Sequence, residues 1–296
     1  MYADSLDSGC AIFIGMRLRF GLLLLFLSGL WRPCLSQDAP SSSDPGKPPA
    51  FGETASSPSP DTLSPNVFPE RPVSWLKLVP NLAHDQKDIW LFPVSLARGR
   101  HLKPGLVLTA VTAGVVASVD ARSGRYFQGT RSFVGFNRAF SGNNTSIAMF
   151  ALPIAFYGIN LARKDAYAQH TFLLAGEAVL GSEILTSVMK DVDRRMKPIE
   201  VPLNGDLSDT WFRSHAGGIV RGIGSFPSGH TISAFSVVTI FADRYPKPRW
   251  RTWIAYGLAA TVGFSRVSLQ SHHPSDVFAG AVLGYATAHY GFLRAR

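Results

Sequence analysis

Gly224-Ser-Phe-Pro-Ser-Gly-His230 stands between a long polar loop and an apolar helical run, and its residue types suit the capture of an anion. A helix starting near Ser228 leaves its first backbone N–H groups without intrahelical partners, and the macrodipole adds partial positive charge there. Gly229 lacks a Cβ, so an oxygen can approach its N–H closely, while the Ser228 hydroxyl can cap the helix or donate to a ligand. The imidazole of His230 completes the set. Taken alone, the stretch reads equally well as an ordinary Pro-Ser-Gly turn ahead of a core helix.

Two other stretches carry residues that suit the same anion. In Lys190-Asp-Val-Asp-Arg-Arg-Met-Lys197-Pro198, two lysines seven apart share one helical face, and Pro198 forbids the helix to continue. By itself this is a solvated basic helix end favoured by the dipole. In Ser265-Arg266-Val-Ser-Leu-Gln-Ser-His272-His273-Pro274-Ser275-Asp276, Pro274 fits the first position of a helix and Asp276 its first turn. That arrangement puts His272 just before the helix, with Asp276 folded back toward it. A carboxylate accepting from one imidazole nitrogen fixes the tautomer and makes the other nitrogen a better nucleophile or base. Read singly, this is a helix cap with a buried, satisfied histidine.

Together, and in this order, the three stretches resemble the signature of the type 2 phosphatidic acid phosphatase superfamily, which includes class A bacterial acid phosphatases and vanadium haloperoxidases. The pattern is Lys-x6-Arg-Pro, then Pro-Ser-Gly-His, then Ser-Arg-x5-His-x3-Asp. The second part is matched at Pro227 to His230 and the third at Ser265, Arg266, His272 and Asp276, while the first departs where Lys197 stands for arginine.

The resemblance implies a hydrolase in which His272 attacks phosphorus to give a phosphohistidine, with Asp276 orienting and activating it. His230 would protonate the leaving oxygen and then deprotonate the hydrolytic water. Lys190, Lys197, Arg266, the Ser228 hydroxyl and the Gly229 N–H would bind phosphate, holding its nonbridging oxygens. No metal or other cofactor is implied, because these cations and donors meet the charge that Mg²⁺ handles elsewhere; vanadate is expected as an inhibitor. Replacing a planar guanidinium fork with the single ammonium of Lys197 weakens phosphate grip or alignment. His273 rivals His272 as nucleophile, but the family spacing selects His272, and His215 is left as structural or solvent-facing. Two alternatives remain open on the residues alone: a haloperoxidase with vanadate as its cofactor, and a weakly active phosphate-binding relative.

The elements that must position these groups follow from composition. The 296-residue chain is 46% hydrophobic and only 17% charged, with a formal charge of +9, which suits a helix-rich exported or membrane-associated protein with anionic partners. No Lys/Arg run interleaves with aromatics, so a phosphorylated substrate, lipid or soluble, is favoured over nucleic acid. Cys10 and Cys34 both precede the expected mature start, which excludes a disulfide framework or cysteine metal site in the folded domain.

Met16-Arg-Leu-Arg-Phe20 and the leucine-rich run after it read as the basic head and apolar middle of a signal peptide. Residues 1–36 are therefore read as a leader with an upstream extension, and 37–74 as a disordered Pro/Ser-rich linker. Residues 75–296 are read as the phosphatase-like domain. Apolar segments near 105–119, 146–162, 166–190, 229–243, 251–265 and 275–293 are too long for typical strands and predict an all-α, six-helix bundle; the resemblance implies that this bundle is of the acid phosphatase and haloperoxidase type. The uncharged runs from 105 to 119 and from 231 to 242 fall short of the roughly 20 residues a spanning helix needs. In addition, three crossings after a cleaved leader would leave the Gly224–His230 loop in the cytoplasm. A periplasmic or extracellular protein, soluble or peripheral to the membrane, is favoured over one that spans it.

Overall fold

In the computed structural model, residues 73–99, 102–214 and 222–292 are described, and all their regular elements are helical. The expected leader, the linker up to residue 72 and His215 lie outside them. The chain divides into units of Met1–Asn66 and Val67–Arg296, and everything below concerns the second.

Helix α1 spans Leu78–Ala97. Helix α2, Leu102–Val115, passes through a π-helical turn at Val116–Asp120 into α3, Ala121–Gly129. A short α4, Val134–Ala139, leads to α5, Gly142–Ala162, and α6, Ala166–Asp193. Helices α7, Gly229–Arg244, α8, Arg249–Ser268, and α9, Pro274–Thr287, complete the bundle, with a π-helical end at Ala288–Phe292. Four of the six apolar segments read from the sequence lie within single helices, the first runs from α2 into the π-helical turn, and the last runs from α9 into the π-helical end.

Local chemistry sets the boundaries. The Ser141 side chain accepts from Asn144 N at the start of α5, and Asp165 accepts from Ala168 N at the start of α6, each satisfying an otherwise unpaired donor. Pro274 begins α9 because its missing N–H costs nothing there. Helix α6 ends at Asp193, before Pro198 is reached, because Arg194 turns left-handed at φ 44°. Lys197 therefore lies beyond the helix. The expected shared helical face of Lys190 and Lys197 is not present.

Helix α7 is packed among α6, α8 and α9. Its buried side is small and polar as much as apolar, with Thr231, Ile232, Ser233, Ser236, Thr239 and Ile240 all inside. Glycines on α9 allow the close approach, for a Cβ on Gly280 would sit 2.9 Å from the Ser228 carbonyl oxygen. The apolar core joins Leu173, Leu174 and Ala178 of α6 to Ile240 of α7, Val73 and Ala288.

Helix lengths revise the membrane expectation. Residues 102–129 form one 28-residue helical run whose apolar window is wholly unburied. With Gly142–Ala162 and Ala166–Glu200 it makes three segments, among the described residues, that are long and apolar enough to cross a membrane. The sequence count stopped at the first charged residue, whereas the helix continues past it. Leu106, Val107 and Val111 on α2, with Ile147 and Ile154 on α5, are exposed, an arrangement suited to lipid rather than water. The protein is membrane-associated.

At one end of the bundle the connections are stitched together. Gln128 donates to the Pro198 and Val201 carbonyls, Gln270 to the Phe127 carbonyl, and Asn137 to that of Ser268. The loop after α6 pairs with the other two motifs through Ile199 N to Gln270 O and Ser225 N to Arg195 O, while Ser228 N bonds Asp276 O at 3.1 Å. At the opposite end Tyr167 donates to the Arg244 carbonyl, and Arg244 lies over the Tyr167 ring.

Candidate active site

His272 is 4% exposed, in the loop between α8 and α9. Its Nδ1 lies 2.6 Å from the Ser225 carbonyl oxygen. A carbonyl only accepts, so Nδ1 carries the proton and Nε2 is left with its lone pair. The sequence assigned that acceptor role to Asp276, whose Oδ2 is 3.7 Å from Nδ1, too far for a hydrogen bond. Burial, against the pull of Asp276, brings His272 down to about 4, so the ring is neutral at neutral pH.

Asp276 is completely buried and fully engaged. It accepts from the Ser225 hydroxyl at 2.5 Å, the His273 N–H at 2.7 Å and the Arg195 guanidinium at 2.5 Å. Burial alone would raise its carboxyl, but His272 and Arg195 outweigh that and hold it below the ordinary carboxylate range. His273 is also buried and donates from Nε2 to the Met196 carbonyl at 3.2 Å, so it braces the loop after α6.

His230, the second residue of α7, places Nε2 2.9 Å from Ser146 Oγ and 3.3 Å from Gly142 O. Burial and the charges of Arg266, His272 and Lys190 pull it down to about 3. Arg266, in the last turn of α8, sets its guanidinium on the Phe140 carbonyl, Thr145 Oγ1 and Ser265 Oγ. Burial lowers it to about 10, which leaves it cationic at neutral pH. The α4–α5 connection thus closes over both residues.

Ser228 is inaccessible and does not cap α7; its Oγ accepts from Thr231 Oγ1 at 2.8 Å. Gly229 opens the helix against Thr186, whose Cγ2 would stand 3.0 Å from an added Cβ. The buried Thr186 hydroxyl has no hydrogen-bond partner among the described residues. Lys190, near the end of α6, interacts electrostatically with Lys197, Asp276 and His230. Lys197 is one-third exposed, with Nζ 3.5 Å from Glu200. Gly224 is needed because a Cβ there would meet the Lys190 carbonyl oxygen at 2.5 Å.

The structure therefore gathers Lys190, Lys197, Ser228, Gly229, His230, Arg266, His272 and Asp276 at one end of the bundle. Sequence reasoning missed Ser225, Ser146, Asp120 and Arg195. Ser225 lay inside the quoted motif, but Ser146 and Asp120 are remote in sequence and offered no spacing signal. Arg195 stands inside the basic stretch, where nothing in the spacing distinguishes it from Arg194 and the two lysines.

Cations and a tautomer-fixed imidazole beside a carboxylate, on an all-helical scaffold, make this cluster a candidate anion site. Residues 171–295 match the PAP2 superfamily model, and the resemblance read from the motifs stands on that match. A "Probable lipid phosphate phosphatase 4" of Arabidopsis thaliana is 27% identical over 178 residues, which is 50% of this chain and 58% of that protein. A "Lipid A 1-phosphatase" of Rhizobium etli is 33% identical over 107 residues, 36% of this chain and 42% of the relative. The chain spans less than two thirds of the length of these curated relatives. Among solved structures, the transmembrane PAP2 type phosphatidylglycerolphosphate phosphatase from Bacillus subtilis is 20% identical, covering 70% of this chain and 94% of that chain. Its TM-score of 0.35 gives that likeness no weight.

Proposed function

We propose that the protein is a membrane-integral phosphatase that hydrolyses a lipid phosphate monoester through a phosphohistidine at His272. The observation that carries this reading is the Nδ1 contact of His272 with the Ser225 carbonyl, which leaves Nε2 unprotonated among Lys190, His230 and Arg266. Nε2 attacks phosphorus as the ester P–O bond breaks, and the leaving oxygen takes a proton from His230. Water then attacks the phosphoimidazole, giving its proton to His230, and orthophosphate departs with the P–N bond broken. Lys190 and Arg266 offset the charge on the nonbridging oxygens, and the N-terminus of α7 adds its partial charge.

Burial keeps His230 neutral at neutral pH. A phosphate bound beside it adds negative charge and raises its affinity for the proton it must donate. Lys197, drawn aside by Glu200, offers a weaker grip than an arginine fork would.

A lipid substrate is supported by the long apolar helices, one of them wholly unburied over its apolar window, and by the likeness to a lipid phosphate phosphatase and a lipid A 1-phosphatase. The leader-like Met16–Leu30 stretch supports a site on the exported side of the membrane. With the chain outside after that stretch, a site on that side needs one crossing more than the three apolar segments ahead of α7 supply. The test is phosphate release from phosphatidic acid, an isoprenyl pyrophosphate and a soluble aryl ester, using the full chain in detergent micelles. Release from the lipid esters with trapped labelled phosphorus on His272 is the expected result. Release without any labelled enzyme would overturn the covalent route, and no release from any of the three would overturn the hydrolase.

A further inference from the structure

Arg195 is 1% exposed, and its guanidinium joins two carboxylates from distant parts of the chain. One nitrogen lies 2.6 Å from Asp120 Oδ2, at the end of the π-helical turn between α2 and α3. The other lies 2.5 Å from Asp276 Oδ1 and 2.7 Å from Ser275 Oγ, and Nε donates to Thr210 Oγ1. Trp211 covers the plane, its ring centroid 4.4 Å from the guanidinium carbon. Asp120 lies outside the matched residues 171–295, yet it also receives the Ser275 N–H and hydroxyl at the start of α9. A guanidinium so enclosed cannot turn to a phosphate.

The backbone of the same residue bears on the other side of His272. The Arg195 carbonyl accepts from Ser225 N, its own N–H is held by Asp193 Oδ1, and the left-handed Arg194 turns the chain inward at this point. Ser225 supplies the carbonyl that fixes His272 Nδ1 and the hydroxyl that binds Asp276. Both groups flanking the nucleophile are thus located by one residue. We propose that Arg195, anchored by Asp120, is a positioning residue that sets Asp276 and Ser225 around His272.

The charge count gives this arrangement a chemical purpose. Asp120 and Asp276 share one guanidinium, so the cluster keeps a net negative charge beside the imidazole. When Nε2 bonds phosphorus while Nδ1 retains its proton, the ring becomes cationic, and that residual charge stabilises it. Without Asp120 the guanidinium would cancel Asp276, and without Arg195 two bare carboxylates would face each other in a buried site.

The proposal rests on the reading of His272 as nucleophile, so its test has one arm that needs no turnover. His272 is faced by Asp276 on α9, Lys190 on α6, the Ser225 carbonyl and His230 on α7, with Arg266 on α8 beyond His230. The full chain in detergent is compared with Arg195→Met, Arg195→Lys and Asp120→Asn, measuring kcat and KM on an aryl phosphate and the His272 ring titration by NMR. Removing the Arg195 cation should raise the His272 midpoint, whereas removing the Asp120 charge should lower it. In both, kcat should fall by roughly a hundredfold, the scale of an ångström-level misplacement, with KM little changed. Arg195→Lys should restore the midpoint but not kcat, because one ammonium cannot bridge both carboxylates.

Opposite shifts support the positioning role even if the wild type hydrolyses no ester, a result that would sink only the hydrolase reading. An unchanged midpoint in Asp120→Asn, together with an unchanged kcat in both Asp120→Asn and Arg195→Lys, would overturn the proposal, and those two variants suffice if Arg195→Met does not fold.

Discussion

Asp276 Oδ2 stands 3.7 Å from His272 Nδ1, while the Ser225 backbone oxygen occupies the hydrogen-bonding position at 2.6 Å. The carboxylate therefore acts on the imidazole through charge, and the tautomer is held by the main chain. Asp276→Asn should keep the tautomer and lose the field. The expected outcome is a kcat reduced by roughly a hundredfold to a thousandfold, within the range for lost electrostatic stabilisation, and well short of the loss in His272→Ala. Steady-state kinetics on an aryl phosphate decides it, and equal losses in the two variants would assign the tautomer to Asp276 after all.

His272→Ala should abolish phosphate release and the trapping of labelled phosphorus on the protein. His273 cannot substitute, because its Nε2 is committed to the Met196 carbonyl and its ring is buried under the loop after α6. Quench-and-gel labelling with a phosphorus-labelled substrate makes the comparison. Undiminished turnover in this variant would remove His272 from the mechanism.

Why the sequence disclosed one part of this site and concealed another follows from the kind of interaction involved. His230, His272 and Asp276 occupy helix starts, where proline, glycine and acidic residues mark the boundary within a few positions, so local spacing was enough. The six long apolar segments were legible for the same reason. Helix length across 102–129 was not, because Asp120 and Arg122 interrupt the apolar run while the backbone hydrogen bonding continues through a π-helical turn. Asp120 also meets Arg195 across 75 positions, and nothing in a single sequence announces such a pair. The end of α6 was misplaced because a left-handed Arg194 stopped the helix before Pro198 could.

Lys197→Arg tests the departure in the first motif. Nζ of Lys197 now shares its charge with Glu200, and the Glu200 carboxylate also accepts the Lys197 N–H at 3.0 Å. A guanidinium can keep one bond to Glu200 and present another to phosphate. Competitive inhibition by vanadate should tighten about tenfold, the value of one charge-assisted hydrogen bond. Unaltered inhibition would show that this position lies too far from the anion to hold it.

Proton inventory makes the last prediction. In the free protein His272 sits near 4 and His230 near 3, both lowered chiefly by burial. As pH falls through about 4, Nε2 of His272 takes up a proton and ceases to be a nucleophile, so kcat/KM for an aryl phosphate should fall on that side. An aryl leaving group needs little protonation, so its profile should run flat through the weakly acidic range. An alkyl ester needs the His230 proton, and the fraction of free protein carrying it shrinks as pH rises above about 3. Alkyl turnover should therefore decline toward high pH where aryl turnover does not. His230→Ala should erase that difference in slope and cost the alkyl ester more than the aryl one. Ser146→Ala, which removes a partner of His230 Nε2, should act in the same direction with a smaller effect. Parallel profiles for the two leaving groups in the wild type would argue that His230 does not donate the proton.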